Sequence, residues 1–480
     1  MKFLQYLKVI FVILSCVVIS FLLPIAFAVA YHELNMIPAF VAPMLPVLLI
    51  TGVLLFITRN KAFRLSTRGG IVLVACVWIF ATLIGSLPFM ISGVIPKFAD
   101  ALFETSSGFT TTGATIMSAV EGTPISMLVW RAQTHWLGGM GIVVLAVALF
   151  PLLGVGGFTL IKSETTGPDK GKVTSKITET AKALWIVYCG LTVLPIIALM
   201  LAGMNFTEAM CHAFSILGTG GFSTRNASIS SFNSSAITVI CTVFMFLASW
   251  NFSLYIRLIQ GHPEDMLHNS ELHAFLRIFF GSGFVIAFLL LPKYGVLEAL
   301  NHAFFQVASI MSTTGLSSTN FDLWPDAAKF VLLLLFFIGG CSGSTAGGIK
   351  VIRWVILRKQ AGNEIKRLLY PHGVFSIQLN GRPGRKDVVY SVAGFVFLYL
   401  FLVGLTSFVA VNAGANLFTA IVSALSLVGN IGAGFDMVSP AHNFAFYSNW
   451  AKYIFSFVMI AGRLELYTML VVFSKNFWRK

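Results

Sequence analysis

Apolar stretches long enough to span a bilayer, separated by short polar loops, run through the chain from its first residues. The run from Val9 to Ala30 is too long for a signal-peptide core and lacks a small-residue cleavage site, so it predicts a retained helix. Residues 38–58 predict a second. From residue 70 a composite pattern recurs four times: an apolar span, a half-length amphipathic run, a polar loop and another apolar span. The paired spans lie near 71–93 and 125–151, 181–203 and 234–257, 274–292 and 327–356, and 388–412 and 446–474. The half-length runs, such as Asp100 to Gly108 and Glu298 to Ile310, fall short of the roughly 20 helical residues that a hydrocarbon core requires, so each must dip in and return. The expected architecture is an all-α polytopic membrane protein with ten spans. Its units are a two-helix hairpin (1–69) and four repeats (70–160, 161–265, 266–370 and 371–480), with both termini cytoplasmic.

Composition agrees with that class: 57% of the 480 residues are hydrophobic and 10% charged, against about a quarter charged in soluble domains. The net charge of +14 is distributed as a topology signal. Arg59, Lys61, Arg64 and Arg68 follow the second helix without an acid, and eight basic residues between Arg353 and Lys386 face only Glu364. Residues 93–124, in contrast, set Lys97 against Asp100, Glu104 and Glu121. Basic loops are predicted inside, where they also suit anionic lipid; a nucleic-acid role is excluded. The loop from His262 to His273 is acidic and carries no such signal. The six cysteines form no CxxC pair, and there is no Walker A string, HExxH or paired carboxylate arrangement, so the sequence does not predict an enzyme.

Inside each repeat lies one short motif. Ser107 leads into Thr110-Thr111-Thr112-Gly113, Ser215 into Gly218-Thr219-Gly220-Gly221, Ser309 into Ser312-Thr313-Thr314-Gly315 and Ser426 into Gly429-Asn430-Ile431-Gly432. The serine always stands six residues before the final glycine. One copy would read as ordinary helix packing by small residues. Four copies in four re-entrant segments predict equivalent parts around one axis, because non-helical backbone at membrane depth must be buried or line a cavity. There the helix C-termini favour a cation, and the oxygens of Thr111, Thr112, Gly113, Thr219, Gly220, Gly221, Thr313, Thr314, Gly315, Asn430, Ile431 and Gly432 can replace a monovalent ion's hydration shell. The last glycine permits a positive φ.

These repeats, the four glycines and the string Trp136-Leu137-Gly138-Gly139-Met140-Gly141 resemble the Trk/Ktr/HKT superfamily of potassium transporters over nearly the whole chain. The leading helix pair is similar to its bacterial Trk branch. The resemblance implies potassium uptake across the bacterial inner membrane through a pseudo-fourfold pore in one chain. It also implies a homodimer, no organic cofactor, and regulation by a cytosolic nucleotide-binding subunit of the TrkA type. The loops Arg353–Lys386 and Lys162–Lys182 are docking candidates, or simply solvated topology signals. Gly220 and Asn430-Ile431 depart from fourfold identity, so the expectation is preference for potassium and rubidium over sodium without exclusion.

The stretch from Gly339 to Gly348 holds five glycines in ten residues, each costing about 1 kcal/mol relative to alanine in a helix, and predicts an interruption below the filter. The resemblance implies an intramembrane gate built from Gly339, Gly340, Gly343, Ser344, Thr345, Gly347 and Gly348, with Lys350 and Arg463. Lys350 also fits the start of the cytoplasmic surface. Arg463, alone in a span at a cost of at least about 2.5 kcal/mol, either pairs with an acid such as Glu465 or snorkels, or raises the barrier to a cation in the cavity. A competing reading takes Gly340-Cys341-Ser342-Gly343 as the G-x-S-G of an intramembrane serine protease, which needs His135, His212 or His302 beside Ser342. Arg131 is read as an anchor or a pore-helix partner. Asp100 and Glu208, each thirteen residues before a motif glycine, are read as pore-helix N-terminal acids.

Overall fold

The computed structural model describes residues 2–59, 66–141, 177–380, 382–383 and 386–479. Among them six helices are long and apolar enough to cross a membrane: Phe3–Ala30, Leu34–Thr58, Arg68–Ile91, Glu179–Leu201, Ser270–Leu290 and Val388–Asn412. Their outer faces carry exposed Leu49, Phe56, Leu201, Phe288 and Phe408, the surface expected where lipid is the solvent. The protein is a multi-pass, all-α membrane protein. Its one described strand pair is the two-residue ribbon Gln378–Leu379 with Arg382–Pro383 in the basic loop.

Four short helices, Phe98–Phe109, Phe206–Gly218, Val296–Met311 and Leu417–Gly429, do not cross. At 1.5 Å per residue the longest, with 16 residues, reaches only about 24 Å. Each packs against the long helix before it. The second helix of repeat 1 (Ile125–Gly139) also packs on the short helix of repeat 2, that of repeat 2 (Ser235–Ala248) on the short helix of repeat 3, and that of repeat 4 (Asn449–Arg463) on the short helix of repeat 1. Repeats 4 and 1 thus meet in space although they lie at opposite ends of the sequence. The leading helices pack beside Thr67–Ile91, outside this circle, with Ser15 and Thr51 hydroxyls joined at 2.7 Å.

The expected uninterrupted second spans are corrected. Ser235–Ala248 turns by 88° into Phe252–Ile259, and Asn449–Arg463 by 114° into Tyr467–Phe473, so the described residues hold eight spans at most if each bent pair counts as one. In repeat 3, where the five glycines of Gly339–Gly348 predict an interruption, the helix Asp326–Leu335 stops and helix resumes only at Val351–Leu369. Local chemistry explains the first bend. Asn251 accepts a hydrogen bond from Ser253 N–H at 2.9 Å, capping a new helix in a new direction within an apolar run. The part of the 125–151 span beyond Gly141, residues 162–176 of the loop Lys162–Lys182, and Lys61, Arg64 and Arg385 lie outside the described residues.

Candidate functional site

Each short helix ends in the same turn. Thr111, Thr219, Thr313 and Asn430 adopt left-handed conformations with φ of 55°, 55°, 57° and 54°, and the glycines two residues later have φ of 78°, 89°, 77° and 81°. The next residue's N–H reaches back to the motif serine: Thr112 to Ser107 O, Gly220 to Ser215 O and Thr314 to Ser309 O at 2.8 Å, and Ile431 to Ser426 O at 2.9 Å. In the first three, the left-handed residue's own N–H closes onto the carbonyl three back, at 3.0–3.1 Å. These two hydrogen bonds make a Schellman cap, with threonine where glycine usually stands. The backbone carbonyl six residues before the final glycine thereby closes each turn and leaves the later carbonyls to face the axis. The hydroxyls of Ser215 and Ser309 donate further to Phe222 O at 2.6 Å and Leu316 O at 2.5 Å, fixing the chain beyond the glycine.

The four turns form a closed ring. A Cβ on Gly113 would strike the Gly220 carbonyl oxygen, one on Gly221 the Thr314 oxygen, one on Gly315 the Ile431 oxygen, and one on Gly432 the Thr112 oxygen. All four glycines open onto one vestibule of about 370 Å³. At the closing seam Asn430 Nδ2 donates to Thr112 Oγ1 at 2.8 Å and to Met459 O at 3.0 Å.

Ion pairs, one of them fully buried, brace the turns from the rim. Arg131 Nε meets Glu104 Oε1 at 2.7 Å, with side chains 4% and 0% exposed, and Arg131 also donates to Ser223 O at 2.9 Å. Glu104 in turn accepts from Thr115 Oγ1 and Ile116 N–H, both at 2.9 Å, pinning the chain that leaves Gly113. Arg225 pairs with Glu208 at 2.6 Å. Asp100 and Glu208 stand in the first turns of their helices as expected, but Asp100 is consumed by Lys452 at 2.6 Å. The vestibule's arginines therefore arrive neutralised.

Beneath the ring lies the glycine-rich segment, non-helical from Gly339 to Lys350. Gly347 N–H donates to Thr313 Oγ1 at 2.6 Å, tying it directly to the third turn. Gly339 N–H donates to Ile349 O at 2.9 Å, and Gly340 O accepts from Val351 N–H at 3.2 Å, so the loop closes on itself. Cys341 N–H donates to Ser249 O at 2.8 Å and Gly343 O accepts from Phe252 N–H at 3.0 Å, both at the bend of repeat 2. Ser344 Oγ donates to Cys341 O at 2.6 Å, and Gly348 takes a φ of 67°. Lys350 is buried with its ammonium on Ala346 O, inside the loop and away from any aqueous surface. Arg463 donates to Thr345 O and Gly138 O at 2.7 Å and to Gly139 O at 2.8 Å. It bridges the loop to the end of the helix Ile125–Gly139, while Glu465 pairs with Arg353 instead. The histidines proposed as bases for Ser342 are engaged elsewhere: His135 stacks on Phe222, His212 contacts Glu208 O and Ser223, and His302 contacts Ser318.

The family model for TrkH, a cation transport protein, matches residues 36–480. The chain belongs to the TrkH family. It is 40% identical over 436 residues, 90% of either chain, to a Trk system potassium uptake protein TrkH from Halomonas elongata. The TrkH of Escherichia coli is 38% identical and covers 92% of both chains. The crystal structure of the potassium transporter TrkH from Vibrio parahaemolyticus superposes with a TM-score of 0.88, at 34% identity, with complete coverage of both chains.

For this TrkH-family chain, then, the structure gathers the twelve motif residues into one ring and the loop residues with Lys350 and Arg463 directly below it. Sequence reasoning missed Glu271, the buried acid that opens the helix Ser270–Leu290. Its Oε1 accepts from Ser342 N–H at 2.7 Å and Ile352 N–H at 3.0 Å, holding both ends of the loop. The one signal for it was an acid at the edge of an apolar span with no lysine or arginine within five positions. Glu104 carried a clearer signal, four residues after Asp100 on a short helix whose other polar residues are uncharged.

Proposed function

We propose that the chain takes up potassium through a backbone-carbonyl filter, formed by Thr111–Gly113, Thr219–Gly221, Thr313–Gly315 and Asn430–Gly432. The observation that carries this is the closed ring, in which the carbonyls of Thr112, Gly220, Thr314 and Ile431 stand against Gly432, Gly113, Gly221 and Gly315, each the glycine of the preceding repeat around the circle. Four re-entrant helices deliver their C-terminal ends to that ring, and free carbonyls past a helix C-terminus substitute for the water around a dehydrated alkali ion. The relatives' names as potassium uptake proteins and as a potassium transporter support the choice of ion.

The loop from Gly339 to Lys350 and Arg463 act as the gate. The loop is tethered to the third filter turn, and the fixed positive charge below the filter opposes a cation. The positive-inside distribution supports an inner-membrane orientation with cytoplasmic termini, repeats at 70–160, 161–265, 266–370 and 371–480, and a basic cytoplasmic surface around Arg353–Lys386. By family resemblance this surface serves a TrkA-like nucleotide-binding subunit, and the transporter is a homodimer. The protease reading is not favoured, since His135, His212 and His302 all contact other residues.

The test is a flux assay on purified protein in liposomes with potassium, rubidium, sodium and lithium, under imposed voltage and varied pH. Potassium and rubidium are expected to move faster than sodium and lithium. Equal sodium and potassium flux would remove the filter, and flux that follows a pH gradient at zero voltage would identify coupled symport.

A further inference from the structure

The ring is fourfold in backbone but not in side chains, and what fills the space behind each turn differs. In repeat 1 the Thr112 hydroxyl pairs with that of Thr110 at 2.8 Å, and in repeat 3 Thr314 pairs with Ser312 at 2.6 Å. In repeat 4 Ile431 folds over Gly429, its Cδ1 at 3.2 Å from where a Cβ on that glycine would sit. Repeat 2 has glycine at both corresponding positions, Gly218 and Gly220, and so has no side chain of its own to place there. The space is filled instead from repeat 1. A Cβ on Gly220 would overlap the His135 imidazole, and one on Gly218 would press on the His135 carbonyl and its Cβ. His135 is fully buried, with Nδ1 3.4 Å from Ser215 Oγ and 3.5 Å from Phe222 N. Its ring stacks on Phe222 with centroids 4.1 Å apart and planes 19° apart. The Arg131 guanidinium, one helical turn earlier, lies 3.6 Å from the same Phe222 ring. Phe222 directly follows Gly221, so one face of the helix Ile125–Gly139 grips both sides of the second turn.

We propose that His135 is the positioning residue for the second filter turn, a donated wedge that sets the Gly220 carbonyl and thereby the ion discrimination of that quarter of the ring. It acts through the backbone and does not touch the ion. This rests on the filter reading above. Without the imidazole, the second turn keeps the Gly220 N–H bond to Ser215 O but loses the side chain packed against both Gly218 and Gly220, and glycine is the residue least able to hold φ and ψ itself.

The experiment measures potassium-to-sodium flux ratios in proteoliposomes for the full chain, with monodispersity and thermal stability recorded for each variant. His135→Ala is expected to lower the ratio about tenfold while the protein remains monodisperse. Gly220→Thr alone is expected to lower it as well, through collision with the ring. The double variant His135→Ala/Gly220→Thr, which gives repeat 2 a wedge of its own, is expected to recover to within about threefold of the parent. His135→Phe, which keeps a ring over Gly220, is expected to retain more selectivity than His135→Ala. The inference is overturned by an unchanged ratio in His135→Ala, or by a double variant no better than the worse single one. A parent protein that discriminates among ions alongside an equally selective His135→Ala would remove this inference alone, whereas a parent without discrimination would remove the filter as well.

Discussion

Threonine at a positive φ is uncommon, and this chain has it at Thr111, Thr219 and Thr313 around one axis. Such residues cost about 1–3 kcal/mol each and persist only where the surroundings over-determine them. Here the serine carbonyl behind each turn and the neighbouring carbonyl in front do so. The glycines are held more tightly still. Gly315→Ala combines an unfavourable φ of 77° with a clash on the Ile431 carbonyl, and is expected to cut potassium-to-sodium discrimination at least tenfold, about 1.4 kcal/mol, in the liposome flux assay. An unchanged ratio would show that the ring tolerates a β-carbon. Beyond the fourth turn, Asp436 accepts from Asn416 Nδ2 and Thr419 Oγ1, both at 2.6 Å, and these bonds hold its carboxyl below the usual range. A depressed pKa contributes stability that is complete above the unfolded value of about 3.9 and is lost as pH falls through the folded one. Thermal melts between pH 6 and pH 3 should therefore lose less stability in Asp436→Asn than in the parent. The positive φ of the last glycine was legible in the sequence, but the turn before it was not, because a left-handed threonine looks like any other threonine until its neighbours are known.

At the scale of elements, the glycine-rich loop was legible because five glycines in ten residues leave helix no competitive advantage. The bends after Ala248 and Arg463 were not, since a single Asn251 cap or the positive φ of Glu465 (53°) redirects a helix without altering its hydropathy. The loop's tethers come from four separate elements, so its hold is tested one anchor at a time. Arg463→Ala removes bonds to Thr345, Gly138 and Gly139 together with the charge, and is expected to raise potassium flux several-fold at equal protein density. Glu271→Gln keeps an Oε1 acceptor for Ser342 and Ile352 and should behave close to the parent, while Glu271→Ala removes the acceptor that joins both ends of the loop, at about 1–3 kcal/mol for each bond lost, and should raise flux. Lower flux in both alanine variants would mean that the loop supports conduction instead of blocking it.

For the whole molecule, the four repeats were legible from the serine-to-glycine spacing, and their meeting around one axis followed from re-entrant segments having nowhere else to bury their backbone. Which side chain crosses which seam was beyond reach, since Asn430 and Thr112 lie more than three hundred residues apart. Asn430→Ala removes the bonds to Thr112 and Met459 and puts alanine at a φ of 54°. It is expected to lower thermal stability by about 2–3 kcal/mol and to reduce selectivity in the flux assay. A destabilised variant with full selectivity would place the seam's role in assembly alone.

Because all four quarters of the ring belong to one polypeptide, each can be changed while the other three stay native. A tetramer of identical subunits answers a substitution with four simultaneous copies, and the intermediate doses are hidden. Here the same alteration can be introduced once, twice, three or four times in chosen adjacent or opposite positions. The way permeation declines along that series would reveal whether an ion is held by the sum of its neighbours or by their symmetry.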